Sequence, residues 1–225
     1  MHPSPEEVSH SSRLRRQRQG PPHSSSDDNG NPVHRAVDLL DRLVAVPSWQ
    51  DESEALRLLA QWLASHGVPS ELHHQAGRPL ALVATAGEVN PHDPAGTCLI
   101  LNSHIDTVPP AEPDRWSHPP LRMTQEGDAL HGLGVCDAKG SVAAMASAFV
   151  ELARTWQGPG ALQLMVVGGE ERGGLGTRME LARGARGSVI IGEPTSMIPR
   201  HASKGVLRLE ITSLGRPAHA SSPER

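Results

Sequence analysis

Four apolar runs of strand length, at 80–84, 98–102, 162–167 and 188–191, are interleaved with segments whose apolar residues recur at helical spacing. That alternation limits the fold more than any other feature. Strands joined through helices return parallel to one another and lay those helices on the sheet faces. The pattern predicts an α/β fold, a mixed, mostly parallel sheet with helices on both faces. In such sheets ligands sit beyond the carboxyl ends of the strands, so the residues that follow each run matter most.

The helical segments carry their own stop and start signals. Val33, Val37, Leu40 and Val44 share a helical stripe that Pro47 ends. Asp51 and Glu54 stand in capping-box positions before a second helix, with Asp51 in the Ser/Thr role. Leu58, Leu59, Trp62 and Leu63 form its inner face, and Gly67 supplies its stop. The stretch 138–156 reads as a long Ala-rich helix with Val142, Met145, Phe149 and Leu152 on one stripe, and 175–183 as a shorter one. Farther on, Val206, Leu207, Leu209 and Ile211 alternate with Arg208, Glu210 and Thr212, the pattern of a half-exposed strand.

Domain organisation follows from these shifts. Residues 1–30 hold only Met1, Val8 and Leu14 as large apolar side chains, too few to offset the entropy of ordering, and read as a disordered tail. Its arginines at 13–18 read as a solvated arm. Residues 31–203 form the main domain. The strand at 206–212 opens a second, α+β domain over 204–225, whose remainder is expected to lie outside this sequence.

With four Trp, one Phe and no Tyr, the core rests on Leu, Val, Ile, Ala and Met. A net charge of −4 with no basic block in the folded part argues against nucleic acid as a partner. The two cysteines, Cys98 and Cys136, form no Cys-x-x-Cys pair, which excludes a disulfide scaffold and suits a reducing compartment. No apolar run approaches the roughly 20 residues of a membrane span, and no hydrophobic stretch follows the N-terminal arginines. A soluble, cytoplasmic protein with no membrane partner is the expectation.

Chemistry gathers at the ends of the apolar runs. The run Leu-Ile-Leu-Asn-Ser-His-Ile-Asp-Thr-Val ends in His104 and Asp106, on one side because strand side chains alternate. A metal-bound imidazole takes a partner for its other nitrogen, commonly a carboxylate, although a surface His at a strand end fits this motif equally well. In Gly132-Leu-Gly-Val-Cys-Asp-Ala-Lys-Gly140 an acid, Asp137, precedes the Ala-rich helix. A helix cap worth about 1 kcal/mol would explain Asp137. It would not explain the flanking glycines or Lys139-Gly140, which point to close backbone packing around a ligand. The adjacent Glu170 and Glu171 follow the third run and repel each other unless something positive lies near. Glu193 follows the fourth. One imidazole and five carboxylates without a thiol, all at the mouth of one sheet, suit a catalytic Zn²⁺ or similar divalent ion.

Through His104-Ile-Asp-Thr-Val-Pro, Leu130-His-Gly-Leu-Gly-Val-Cys-Asp-Ala-Lys-Gly and Ile191-Gly-Glu-Pro-Thr-Ser-Met the chain resembles a family of zinc metallopeptidases and deacylases. That family includes acetylornithine deacetylase, succinyl-diaminopimelate desuccinylase, aminoacylase and glutamate carboxypeptidase. The resemblance covers about residues 31–225 and is nearest to the acetylornithine deacetylases. It implies a fold of the zinc-peptidase kind and a homodimeric enzyme of arginine biosynthesis. The reaction would be hydrolysis of a small N-acyl amino acid by two Zn²⁺ ions per complete subunit, with Co²⁺ as an alternative. On this resemblance Asp137 would bridge the two ions, His104 and Glu193 would complete one site, and Glu171 would serve the other. Asp106 would orient His104, Glu170 would be the general base, and His219 would stabilise the oxyanion. The family's later His ligand, most of its lid domain and its carboxylate-binding residues are expected outside this sequence. Gly169 stands where the family often has a polar or acidic residue. A desuccinylase or dipeptidase of the family, and an inactive relative serving as a binding or dimerisation module, are the alternatives.

Overall fold

A computed structural model describes residues 31–90, 98–205, 207, 209–212 and 221. The tail at 1–30 and His219 lie outside the described residues. The chain divides into two compact units, meeting between Glu193 and Pro194.

The first unit begins with α1 (Pro32–Val44). Asn31 caps it by accepting the Val33 N–H at 2.9 Å, and Pro32 occupies the first turn, where its missing N–H is no loss. The buried face of α1 is carried by Leu39, Leu40, Leu43 and Val44; Val33, which the spacing assigns to the stripe, is exposed, and Val37 is half-buried. The helix meets its neighbours mainly through its second half. In α2 (Ser53–Ser65) the cap position falls to Glu52, whose side chain makes no cap bond, one residue later than the capping box predicts. Asp51 still accepts one helix-start N–H, that of Ser53, at 2.9 Å. At the other end Gly67 takes φ +78°, and the N–H groups of Gly67 and Val68 return to Ala64 and Leu63. This is the paired closure that a left-handed glycine permits.

The main sheet contains β1 (Glu71–Gln75), β2 (Arg78–Gly87), β3 (Cys98–His104), β6 (Ala161–Val167) and β7 (Ser188–Ile191), in the order β1-β2-β6-β3-β7. A separate two-stranded ladder joins β4 (Thr124–Glu126) to β5 (Ala129–His131). The remaining helices are α3 (Lys139–Ala153) and α4 (Leu175–Arg183). Ladders β1/β2 and β2/β6 are antiparallel, while β6/β3 and β3/β7 are parallel. Four of the five strands therefore point one way, as expected of a mixed, mostly parallel sheet. β1 and β4 escape the sequence pattern because they are short and largely polar, and β5, Ala-Leu-His, because three residues are too few to show the alternation that marks a strand.

The alternation of side chains divides the core into two layers. Leu82, Ala84, Leu101, Leu162, Leu164 and Val166 pack with α1, α2 and α3; Ala81, Cys98, Ile100, Met165 and Val167 form a smaller cluster with Met179 of α4. On α3, Val142 and Phe149 are buried as the stripe predicts, whereas Met145 is half-buried and Leu152 is exposed. β7 exposes Val189, Ile190 and Ile191 at the sheet edge. Both cysteines are free, Cys98 buried and Cys136 exposed. Among the described residues no helix is long and apolar enough to cross a membrane.

The second unit has a turn closed by Ile198 N–H on the Thr195 carbonyl, 3.1 Å. Leu207, Leu209 and Ile211, expected in a half-exposed strand, are exposed and form no ladder among the described residues. Val206 and Arg208 lie outside the described residues. Alternation alone does not make a strand without a neighbour to accept its backbone hydrogen bonds.

Helices α1 and α3 are locked together by polar bonds at both ends. Arg35 meets Glu151 at 2.7 Å, and Ser147 donates to the Pro32 carbonyl at 2.6 Å. At the opposite end the Lys139 side chain is 0% exposed, and its Nζ donates to the carbonyls of Leu43 (2.8 Å) and Val46 (2.7 Å). A cation at these end-of-helix carbonyls satisfies acceptors that α1 leaves open. Burial pushes the Lys139 ammonium down to about 8. Lys139 therefore does not face a ligand, contrary to the sequence-based expectation. Lys139→Ala opens a cavity and leaves two buried carbonyls without donors, so it should cost about 3 kcal/mol. Urea denaturation checks this, and an unchanged midpoint would contradict it.

Candidate metal centre

Three parallel strands deliver their carboxyl ends side by side. His104 is in register with Val167, the Ile105 N–H donates to the Val167 carbonyl at 2.9 Å, and the Gly192 N–H donates to the Asn102 carbonyl at 2.8 Å. The residues that follow these ends are Asp106, the Glu170-Glu171 pair and Glu193. Asp137 arrives differently. It lies in the turns between β5 and α3, not at an end of the main sheet, so three strand ends and one loop build the site.

His104 is 1% exposed and hydrogen-bonded on both sides. Its Nδ1 lies 2.9 Å from the main-chain carbonyl of Asp106. A carbonyl only accepts, so Nδ1 carries the proton, and Nε2 is directed at Asp137 Oδ1 (2.9 Å) and Glu193 Oε1 (3.8 Å). The Asp106 carboxylate is 3.6 Å from Nδ1. The ring thus meets the backbone carbonyl of Asp106 at hydrogen-bond distance, with the Asp106 carboxylate beside it as an ion-pair partner. That carboxylate, 0% exposed, accepts the N–H groups of Glu170 (3.1 Å) and Glu171 (3.2 Å). Gly169 takes φ +71°, turning the chain out of β6 so that both amides face Asp106.

Asp137 is not a helix cap. The cap position of α3 is Ala138, with no side-chain cap bond, and the Asp137 carboxylate is spent on His104 instead. The peptide between Asp137 and Ala138 is cis. The neighbouring glycines are tight against the protein itself, not against a ligand. A side chain on Gly140 would collide with the Val135 carbonyl.

Charge is concentrated here. Burial by itself would lower the His104 pKa, but the carboxylates of Asp106, Glu193 and Asp137 outweigh it and raise it to about 9. Burial would raise Asp106, yet His104 and the two amides hold it below the usual carboxylate range. Glu193 is raised by burial and by Asp137, Glu170 and Glu171, despite the opposing pull of His104. Glu171 is raised by burial and by Asp137 and Glu170. Carboxylates that raise one another's pKa form a cluster with a surplus of negative charge, which a cation relieves.

Among the described residues, His104, Asp137 and Glu193 form the group of potential ligands whose donor atoms all lie within 4.8 Å of one another. One imidazole nitrogen and carboxylate oxygens suit Zn²⁺ and its neighbours in the first transition row. Glu171 is close enough to feel Asp137 and Glu170 but stands outside that group. Sequence reasoning missed Ser48, Glu52 and Arg172, which touch the site segments from behind. Ser48 and Glu52 lie in the loop between α1 and α2, and Arg172 in the turns between β6 and α4, and neither connection carries a pattern that sets it apart.

Residues 100–224, more than half of the chain, match the profile of peptidase family M20/M25/M40. Over 192 residues the chain is 31% identical to a Staphylococcus epidermidis protein named probable succinyl-diaminopimelate desuccinylase, covering 83% of this chain and 46% of that one. Over 202 residues it is 33% identical to the acetylornithine deacetylase of Proteus mirabilis, covering 84% and 50% respectively. The chain thus spans about half the length of the curated relatives it matches. The M20 family metallo-carboxypeptidase Sso-CP2 of Sulfolobus solfataricus superposes with a TM-score of 0.56 at 22% identity, over 70% of this chain and 37% of that one. The two share a fold.

The elevated His104 pKa has two measurable consequences. In the metal-free chain His104 is an imidazolium below pH 9, so a metal ion must displace its proton. Apparent Zn²⁺ affinity should climb about tenfold per pH unit up to about 9 and then level off. Stability of the metal-free chain runs the other way. The folded pKa of about 9 lies above the ordinary 6.5, so the His104 contribution is complete below 6.5 and is lost as pH rises toward 9. Calorimetric titrations and melting curves across this range test both, and an affinity independent of pH would show a neutral imidazole.

Proposed function

The chain belongs to peptidase family M20/M25/M40, and we propose that it is the metal-binding part of a cytoplasmic hydrolase that cleaves the amide of a small N-acyl amino acid. The leading substrate is acetylornithine, converted with water to ornithine and acetate in arginine biosynthesis. The observation that carries this reading is the convergence of His104, Asp137 and Glu193 within 4.8 Å, beside a glutamate pair that Asp106 holds by its amides.

His104, Asp137 and Glu193 would hold a divalent ion, which when bound would supply polarisation of the amide carbonyl and a more acidic attacking water. The protein's own groups do the rest. Asp106 holds the His104 ring through its main-chain carbonyl, so that Nε2 faces Asp137 and Glu193. Asp137, with two carboxylate oxygens, is suited to serve two ions, with Glu171 on the second. Glu170 takes the proton of the attacking water and passes it to the nitrogen of the leaving amine. His219, as an oxyanion donor, and a homodimer that presents it complete the proposal on the strength of the family resemblance.

A second reading changes only the acyl group. The relative named as a desuccinylase is as similar to this chain as the one named as a deacetylase, 31% against 33% identity. A succinylated diamino acid is therefore the competing substrate.

The donor count sets the first test. Among the described residues site one has three protein donors and site two has Asp137 and Glu171, so isothermal titration of this chain should show about one Zn²⁺, bound weakly. Two tight sites would overturn that assignment. The second test compares acetylornithine, succinyl-diaminopimelate and acetyl-methionine side by side as substrates of the metal-loaded protein. Glu170→Gln should lower turnover of the preferred substrate by about 10²–10⁴-fold while leaving metal content unchanged. Failure of the metal-loaded wild type to hydrolyse any of the three would refute the enzymatic reading and favour a binding module.

A further inference from the structure

The loop between α1 and α2, residues 45–52, provides none of the candidate ligands, yet it touches the segments that carry nearly all of them. The Ser48 hydroxyl donates to the carbonyl of Ile105 at 2.9 Å, in the peptide segment between His104 and Asp106. The Val46 carbonyl accepts from Lys139 Nζ at 2.7 Å, two residues beyond Asp137. The Trp49 carbonyl accepts from Arg172 Nη1 at 2.8 Å, and the Glu52 carboxylate accepts from Arg172 Nη2 at 2.7 Å, directly after Glu170-Glu171. One short loop is thus tied to the His104–Asp106 segment, to the segment following Asp137 and to the glutamate turn.

The bonds of Ser48 and Lys139 are buried, while those of Arg172 are exposed or partly buried. Ser48 and Glu52 are buried, and the Lys139 ammonium is fully so. A side chain on Gly168 would run into the Glu52 carboxyl group, so Glu52 lies directly against the exit of β6. Arg172 grips this loop with two nitrogens, and its charge also faces Asp106 and Asp51. A guanidinium held in two directions fixes the backbone that bears it better than a single contact does. The clamp works from one side of the Glu170-Glu171 turn, and Asp106 holds the amides from the other.

We propose that the 45–52 loop is the positioning element of the metal centre, with the Glu52–Arg172 pair setting the Glu170-Glu171 turn and Ser48 setting the His104–Asp106 segment. None of Ser48, Glu52 or Arg172 is a catalytic residue; each acts through the residues it holds. The functional meaning of the brace rests on the metal-hydrolase reading, while its mechanical part stands without it.

The test separates the two. In the metal-free chain, amide exchange is measured by nitrogen-15 spectroscopy at Glu170 and Glu171, with Leu164 of β6 as the internal reference. Glu52→Gln and Arg172→Lys, which keeps the charge but cannot bond in two directions, should speed exchange at Glu170 and Glu171 at least tenfold relative to Leu164. A merely structural pair would accelerate all three amides alike, and equal acceleration, or none, overturns the proposal. In the second arm Co²⁺ is titrated and followed by its visible spectrum, with His104→Ala as the control that abolishes binding. Ser48→Ala should weaken Co²⁺ binding three- to tenfold and alter the spectrum, and unchanged binding overturns the role given to Ser48. If the wild type takes up no Co²⁺, the metal-hydrolase reading falls, and the exchange arm still decides the brace.

Discussion

Much of this site depends on one buried carboxylate. Asp106 accepts the amides of Glu170 and Glu171 with its side chain and the His104 imidazole with its main-chain carbonyl. A residue with no exposure thereby joins the end of β3 to the turn after β6. Burying a carboxylate without partners is costly, so its two amide donors and the adjacent imidazole are conditions for its being there. Once it is in place, the orientation of the ring and the direction of the glutamate turn are no longer independent.

Around that carboxylate the protein collects like charges, an arrangement that works against folding. Glu171 and Glu193 both have raised pKa values from burial and from their acidic neighbours. Stability must come from elsewhere, and the layers beneath the site show where. Three helices cover one face of the sheet with a continuous apolar core, and Lys139 and Arg35 join α1 to α3 by polar bonds at their two ends. The mouth of the sheet is then free to hold groups chosen for chemistry. A site that tolerates such repulsion in a rigid frame is well placed to use a cation as the missing partner.

How much of this was legible in the sequence differs from one residue to the next. Asp137 could be read as a helix cap or as a ligand, because both readings put an acid before a helix. The choice falls to its carboxylate, which bonds His104 and leaves the cap to Ala138. Lys139 pointed to a ligand because a Lys-Gly pair next to an acid looks like site chemistry, yet its ammonium turns inward to α1. Asp106 is expected to orient His104, and what meets the ring at 2.9 Å is its main-chain carbonyl, an atom that every residue possesses and no motif can single out. Val33 and Leu152 fit their helical stripes and are nevertheless exposed, since periodicity defines a face without saying how far the neighbouring layer extends.

The sequence by itself determined the alternation of strands and helices, the direction of most strands and the residue types that follow them. These depend on local periods and on chemistry within a few positions. Only the tertiary structure decided that the donor atoms of His104, Asp137 and Glu193 converge within 4.8 Å. It alone brought the 45–52 loop against three distant segments. Convergence of this kind depends on register between strands far apart in sequence and on side chains meeting across layers. No local pattern encodes such distances, because they are set jointly by every layer that packs between the groups concerned.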